Sequence, residues 1–215
     1  MRLGVLGTGI VGTTIGTKLV QLGHEVMMGS RTQNNERAAT WVQASGPRAS
    51  QGTFADAARF GETLFNCTSG AASVGALNLA GAANLSGKVL LDIANPLDFS
   101  KGMPPTLSVC NTDSLGEQIQ RAFPNVKVVK TLNTMSCKIM VNPSLLPGEH
   151  DVFVSGNDRA AKAKVIEILK GWFGWKSVID LGDITAARGT EQILALWVRL
   201  MGTLGTANFN FKIIK

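Results

Sequence analysis

The stretch "GTGIVG" puts glycine at positions 7, 9 and 12, directly after the apolar run "LGVL" and directly before Val11, Ile15, Leu19 and Leu22 at helical spacing. Few folds are open to a chain that turns so abruptly from strand to helix. Gly7 allows the tight turn out of the strand, Gly9 lets the backbone come close to a pyrophosphate, and Gly12 lets the helix pack against the sheet. The helix then begins with free N–H groups at the positive end of its dipole, which suits a phosphate. Three glycines in six residues are a weak signal in a chain with 24 of them. The strand before and the helix after give the pattern the context that a dinucleotide site requires.

The same alternation continues downstream. "EVMMG" reads as the second strand, "NNERAATWVQASG" as a helix, "PRASQG" as a weak third strand and "FADAARFG" as a short helix. "TLFNCT", "KVLLDIA" and "VKVVKTL" read as further strands, with helices "AASVGALNLAG" and "SLGEQIQRAF" between them. After "DVFVSG", the helix "DRAAKAKVIEILKGWF" and the strand "KSVIDLG", a long apolar helix from about Thr185 and a last strand "FNFKII" are expected. Strands alternating with helical patterns imply βαβ units. The expected fold is α/β, a doubly wound Rossmann-like parallel sheet with a small C-terminal helical cap. The expected organisation is a single dinucleotide-binding domain over 1–215, with 184–215 as cap and dimerisation segment.

The end of the second strand, "MMGSRT", decides which dinucleotide. A carboxylate there would accept hydrogen bonds from a ribose 2′-hydroxyl, whereas this chain offers Ser30 and Arg31. A guanidinium fork suits a phosphate and a serine hydroxyl adds a short donor. Charge-assisted bonds of this kind contribute about 1.5–3 kcal/mol each, enough for tenfold discrimination or more. The ligand expected is NADP(H) rather than NAD.

Composition removes other classes. The net charge of +6 is scattered, without a basic run, so a nucleic-acid partner is not expected. Cys67, Cys110 and Cys137 form no CxxC pair, so neither a disulfide framework nor a metal site is expected. "ILALWVRLMGTLG" is too short to span a bilayer and contains Arg199, and no leader pattern precedes "RLGVLGTG". No membrane association and a cytoplasmic location are therefore the expectation. The chain has no tyrosine, which excludes a Tyr-x-x-x-Lys device. His24 and His150 both precede strands, and in a parallel sheet that puts them at the end away from the ligand. A dinucleotide site without an evident general acid points to an acceptor that manages its own protons, as a flavin-like ring does. No catalytic side chain is expected.

The stretches "GTGIVG…LGHEVMMGSR", "DIANP", "VVKTLNTM" and "DLGDITAARGTE" together resemble the coenzyme F420-dependent NADP reductases, and also the soluble reductase domain of the STEAP metalloreductases. The likeness runs through nearly the whole chain. It implies NADPH lying along the glycine loop with its nicotinamide C4 facing C5 of a deazaflavin. By that resemblance Thr8, Gly9, Ile10 and Val11 contact the diphosphate, and Ser30 and Arg31 bind the 2′-phosphate. Cys67 and Thr68 border the adenosine ribose and diphosphate. Ala94, Asn95 and Pro96 lie near the nicotinamide, with Asn133, Thr134 and Met135 as the facing wall. Family members often carry a second basic residue soon after the Ser-Arg pair, and Arg37 is the first available here.

The leading expectation is an oxidoreductase moving hydride between NADP(H) and coenzyme F420 or a related flavin-type acceptor. A second reading keeps NADPH and reduces a small carbonyl or imine, with Asp180, Asp183 or Lys138 as the acid. A third is a nucleotide-binding module without turnover. The apolar helix carrying Leu194, Trp197, Leu200 and Met201 is expected either in the core or at a homodimer contact.

Overall fold

The computed structural model describes residues 1–215. Eight strands form one sheet in the order β10-β9-β8-β5-β4-β1-β2-β3. They are β1 (Arg2–Leu6), β2 (Glu25–Ser30), β3 (Ala49–Thr53), β4 (Thr63–Asn66), β5 (Val89–Asp92), β8 (Lys127–Thr131), β9 (Asp151–Ser155) and β10 (Ser177–Asp180). A separate two-residue ladder, β6 (Leu97–Asp98) with β7 (Thr106–Leu107), is antiparallel. The helices are α1 (Ile10–Gln21), α2 (Glu36–Ser45), α3 (Phe54–Phe60), α4 (Gly70–Ala80) and α5 (Ala82–Leu85). They continue with α6 (Leu115–Ala122), α7 (Cys137–Val141), α8 (Arg159–Gly171), α9 (Ala187–Gln192) and α10 (Leu194–Leu204).

Side chains alternate across the sheet, so each strand feeds two apolar layers. Leu3, Val5, Phe65, Leu91 and Val129 belong to a 28-residue core. Leu6, Leu64, Leu90 and Val128 belong to an 18-residue core that includes residues of α3, α4 and α6. The register then aligns a row across the sheet: Gly29 beside Leu6, Leu6 beside Asn66, Asn66 beside Asp92, and Asp92 beside Lys130. Asn66, Asp92 and Lys130 each lie two residues after a member of the 18-residue core, and so project toward that same face. Three polar side chains thus stand side by side where the pattern would otherwise place apolar ones.

Helix starts follow local chemistry. The Asn35 side chain accepts from the Ala38 N–H at the start of α2, Thr53 and Asp56 form a capping box on α3, and Ser114 caps α6. α1 has no side-chain cap at Gly9. Its leading N–H groups face the opening instead.

The sheet is mostly parallel, with a reversal the sequence does not announce. β9 pairs antiparallel with β8, and β10 runs parallel to β9. The start of β9 is therefore at the ligand end of the sheet, not away from it, which corrects the placement expected for His150. Its ring is taken up structurally: Nε2 lies 3.0 Å from the Pro143 carbonyl oxygen, Nδ1 lies 2.7 Å from Asn210 Nδ2, and the ring stacks edge-on to Trp175. His24 packs on Trp172 in the turn before β2, where burial lowers its pKa.

Three further differences concern the later chain. "FNFKII" forms no strand: the Asp151 N–H donates to Phe211 O, and the Ile213 N–H donates to the Asp151 carboxylate, so the tail is tethered without a ladder. The long apolar helix is broken into a 3-10 turn (Ile184–Ala186), α9 and α10. The five-residue α7 has too little length for a periodic pattern to stand out.

Candidate functional site

Strand order reverses at β1, with β2 on one side and β4 on the other. In open α/β sheets a crevice forms beyond the strand ends at such a point. Here it holds two hollows that share Cys67, Thr68 and Ser69. The outer one, about 870 Å³, runs from the glycine loop to the end of β2 and the start of α2. The inner one, about 420 Å³, lies between Val11, Ile93–Asn95 and the β6–β7 ladder.

The three glycines of the loop differ in what each one meets. Gly7 has φ +117° and a Cβ there would stand 2.7 Å from Cys67 O, so the turn itself demands glycine. At Gly12 a Cβ would stand 2.1 Å from Gly7 O, which is the close helix-to-strand packing. At Gly9 the backbone is ordinary extended chain and a Cβ would meet nothing within 4 Å. The fold has no need of glycine at position 9. The open space in front of it is a cradle that a side chain would fill, and a pyrophosphate fits there on the uncapped start of α1.

The far end of the outer hollow is basic. Ser30, Arg31, Thr32, Asn35 and Arg37 line it, and no carboxylate does. The chain's ion pairs involve neither guanidinium. Ser30 Oγ donates to the Thr32 carbonyl at 2.5 Å and thereby shapes the turn that presents Arg31. Arg37 is carried back to the same hollow because Asn35 starts α2 there. The residue types therefore fit an additional phosphate on the adenosine ribose.

The inner hollow has a different floor. Cys67 is buried between the two hollows, and burial followed by the nearby Asp92 charge pushes its thiol pKa far up, so it is a neutral wall and not a nucleophile. Thr68 Oγ1 donates to Asn66 Oδ1 at 2.7 Å and lies 2.7 Å from Ser73 Oγ. Asn66 in turn donates to Asp92 Oδ1 at 2.8 Å. Asp98, at the mouth, accepts from the Ser100 backbone N–H and side chain, which hold its pKa below the usual carboxylate range.

Most residues expected at the site come together. Gly7, Thr8, Gly9, Ser30, Arg31, Cys67 and Thr68 line the outer hollow, while Val11, Ala94 and Asn95 line the inner one. Ile10 is exposed at the start of α1 and Gly12 is buried in the turn. Pro96 adjoins Asn95 without lining either hollow. Asn133, Thr134 and Met135 are buried behind the wall. The Asn95 amide donates to Asn133 O at 2.8 Å, and the Asn133 amide donates to Asn95 Oδ1 at 2.9 Å and Thr190 O at 2.8 Å. Sequence reasoning passed over Asn66, Ser69, Asp92, Lys130 and Glu191. A signal existed in "LLDIA" and "KVVKTL", where a single charge interrupts an apolar strand.

The fold and the paired hollows define a Rossmann-type dinucleotide-binding protein. The family model described as "NADP oxidoreductase coenzyme F420-dependent" matches residues 2–96. A crystal structure of a protein from Arthrobacter sp. FB24, provisionally named as an F420-dependent NADP-reductase, is 56% identical, covers 100% of both chains and superposes with a TM-score of 0.95. The chain belongs to this family and is an oxidoreductase of the NADP-dependent class. Metalloreductase STEAP3 of Rattus norvegicus is 28% identical over 194 residues, 89% of this chain, which spans only 36% of that relative's length. A reductive aminase from Aspergillus terreus, solved with NADPH and ethyl-5-oxohexanoate, shares the fold at 21% identity and a TM-score of 0.67, over 95% of this chain and 62% of that one.

Proposed function

We propose that this protein transfers hydride between NADP(H) and coenzyme F420 or a related flavin-type acceptor. The observation that carries the reading is the contrast within one groove: a basic carboxylate-free outer hollow continues into an inner one with apolar walls at Val11, Ile93, Leu97 and Phe99, whose one carboxyl group, Asp98, is held toward its ionised form by Ser100. The reduced nicotinamide supplies the hydride, and an acceptor of the deazaflavin or flavin type takes its own proton from water. The chain's part is placement. Gly9 and the start of α1 receive the diphosphate, Arg31 and Arg37 receive the 2′-phosphate on the turn that Ser30 shapes through Thr32, and Ala94 and Asn95 set the depth of the ring. Leu97 and Phe99 of the β6–β7 region give the inner hollow an apolar rim that keeps water away from the reacting carbons. Near-attack placement of two rings needs no nucleophile.

The carbonyl or imine reading needs an acid, and its three candidates are otherwise engaged. Asp180 pairs with Lys162 at 2.8 Å, Asp183 caps the turn at Thr185, and Lys138 borders a separate groove between α1 and α7. Residues 184–215 retain the proposed role of cap and dimer segment, since Leu196 and Leu204 stand exposed on α10. Equilibrium sedimentation tests that point.

The deciding experiment is stopped-flow oxidation of NADPH and NADH with F420, FMN, FAD, quinones and cyclic imines offered in turn. F420 or a flavin is expected to be reduced, with NADPH preferred at least about tenfold over NADH. Turnover of an imine without flavin, equal use of NADH, or no oxidation by any acceptor would overturn the reading.

A further inference from the structure

Lys130 is wholly buried at the end of β8, in the middle of the mostly parallel sheet. An ammonium has three protons, and this one has three acceptors: Asp92 Oδ2 at 2.9 Å, Glu191 Oε1 at 2.7 Å and the Ala94 carbonyl at 2.5 Å. Each carboxylate is also satisfied elsewhere. Asp92 Oδ1 accepts from Asn66 and from the Ala94 N–H, and Glu191 accepts from the Leu115 and Gly116 N–H groups at the start of α6. Burial works against the charged lysine, but Asp92 and Glu191 outweigh it and raise its pKa, so it stays an ammonium across the working pH range. No proton is left over for a substrate, so Lys130 is no general acid.

Its bond to the Ala94 carbonyl gives it a different use. Ala94 and Asn95 form the wall of the inner hollow. Two ties cross from that wall to adjacent residues of α9, Glu191 and Thr190. One runs Ala94 O to Lys130 to Glu191, and the other runs Asn95 to Asn133 to Thr190 O. Between Lys130 and Asn133 the backbone at Leu132 takes φ +62°, a costly conformation for leucine that bends the chain so that both ties can form. Buried ion pairs stabilise a fold poorly compared with apolar side chains of the same volume, whereas they do fix direction.

We propose that Lys130 is a positioning residue: held by Asp92 and Glu191, it fixes the Ala94 carbonyl and thereby the wall against which the nicotinamide ring rests. The proposal builds on the hydride-transfer reading, and its test separates the two. The variant Lys130→Met with Asp92→Asn and Glu191→Gln leaves no unpaired buried charge. Glu191→Gln alone removes one charge, keeps one of the two acceptor oxygens and serves as the milder variant.

Three quantities are measured on each: the Kd for NADPH by calorimetry, the fluorescence lifetime of bound reduced nicotinamide, and kcat with the acceptor that the unmodified protein uses. A misplacement of about 1 Å lowers the rate on the order of 100-fold. The triple variant is expected to lose kcat by that factor and to shorten the lifetime, with the Kd held within about threefold because the phosphate contacts are untouched. Glu191→Gln is expected to move lifetime and kcat in the same direction by less. Unchanged lifetime and kcat in a folded triple variant overturn the proposal, as does a Kd that worsens in step with kcat. Should the triple variant fail to fold, an unaltered lifetime in folded Glu191→Gln overturns it equally. If the unmodified protein binds NADPH and no acceptor oxidises it, the hydride reading falls, while the lifetime arm still judges the wall.

Discussion

The two ends of the groove are built on opposite plans. At the outer end, proposed for the phosphates, the polar groups are the uncapped start of α1 and the exposed guanidinium groups of Arg31 and Arg37, which form no ion pair within the chain. At the inner end, proposed for the nicotinamide, Asp92, Lys130, Glu191 and Asn133 are buried, Asn95 is partly so, and all five are already bonded to other parts of the protein. The first end is arranged to bind. The second is arranged to hold still. Affinity and placement are thereby assigned to different residues, and substitutions should separate them.

The sharpest break comes at the glycine loop. Gly9→Asp puts like charge against a pyrophosphate, which costs several kcal/mol, so NADPH affinity in calorimetry should fall on the order of 1,000-fold. Its thermal midpoint should move by no more than about 2 °C, because nothing in the protein touches that position. Gly12→Ala is the contrast: its Cβ falls 2.1 Å from Gly7 O, so binding and thermal midpoint should drop together.

At the other end, Lys130→Ala leaves Asp92 and Glu191 buried without their cation. Removing one partner from such a site costs about 3–5 kcal/mol, which urea unfolding would register. A loss under about 1 kcal/mol would mean that the network is more loosely held than its geometry states.

Arg31→Ala should weaken NADPH binding by about 10- to 100-fold and leave NADH nearly unchanged. Arg37→Ala should do the same in smaller measure, and both effects should shrink as salt rises. Equal loss with both dinucleotides would remove Arg31 from its assigned role.

The smallest effect belongs to a surface pair beside the start of α6. The Arg121 guanidinium holds Asp113 down to about 2 from the ordinary 3.8. A depressed folded-state pKa contributes stability that is complete above 3.8 and is lost as pH falls toward 2. Asp113→Asn should therefore flatten acid unfolding between those values. At neutral pH the change should be under about 1 kcal/mol, because the pair is partly exposed to solvent.

The phosphate end was legible in the sequence because its parts lie within 31 residues of chain and act through local rules. Glycines at 7, 9 and 12 set a turn, the turn starts a helix, and the residues after the next strand face the same opening. The inner wall was legible only by resemblance for Ala94, Asn95 and Asn133, and its lysine was not read at all. "KVVKTL" looks like any strand flanked by surface lysines. The charge inside its apolar run is the one sign, and it does not tell that Lys130 is sealed between two carboxylates while Lys127 is half exposed. The placement of His150 failed for a related reason, since strand direction is a property of pairing and β9 reverses, whereas His24 precedes the parallel β2 as expected.

The amino-acid order alone thus determined the alternation of strands and helices and a glycine turn that opens toward a basic, carboxylate-free strand end, on which the proposed NADP(H) cradle rests, all consequences of turns, dipoles and side-chain periodicity over short distances. Tertiary structure decided the rest. Only sheet register could set Asn66, Asp92 and Lys130 in one row on one face, and only the packing of α9 could bring Glu191 across to close it. The physical reason is that a buried charge is stable only where its partners converge in space, and that convergence is written in pairing between distant segments.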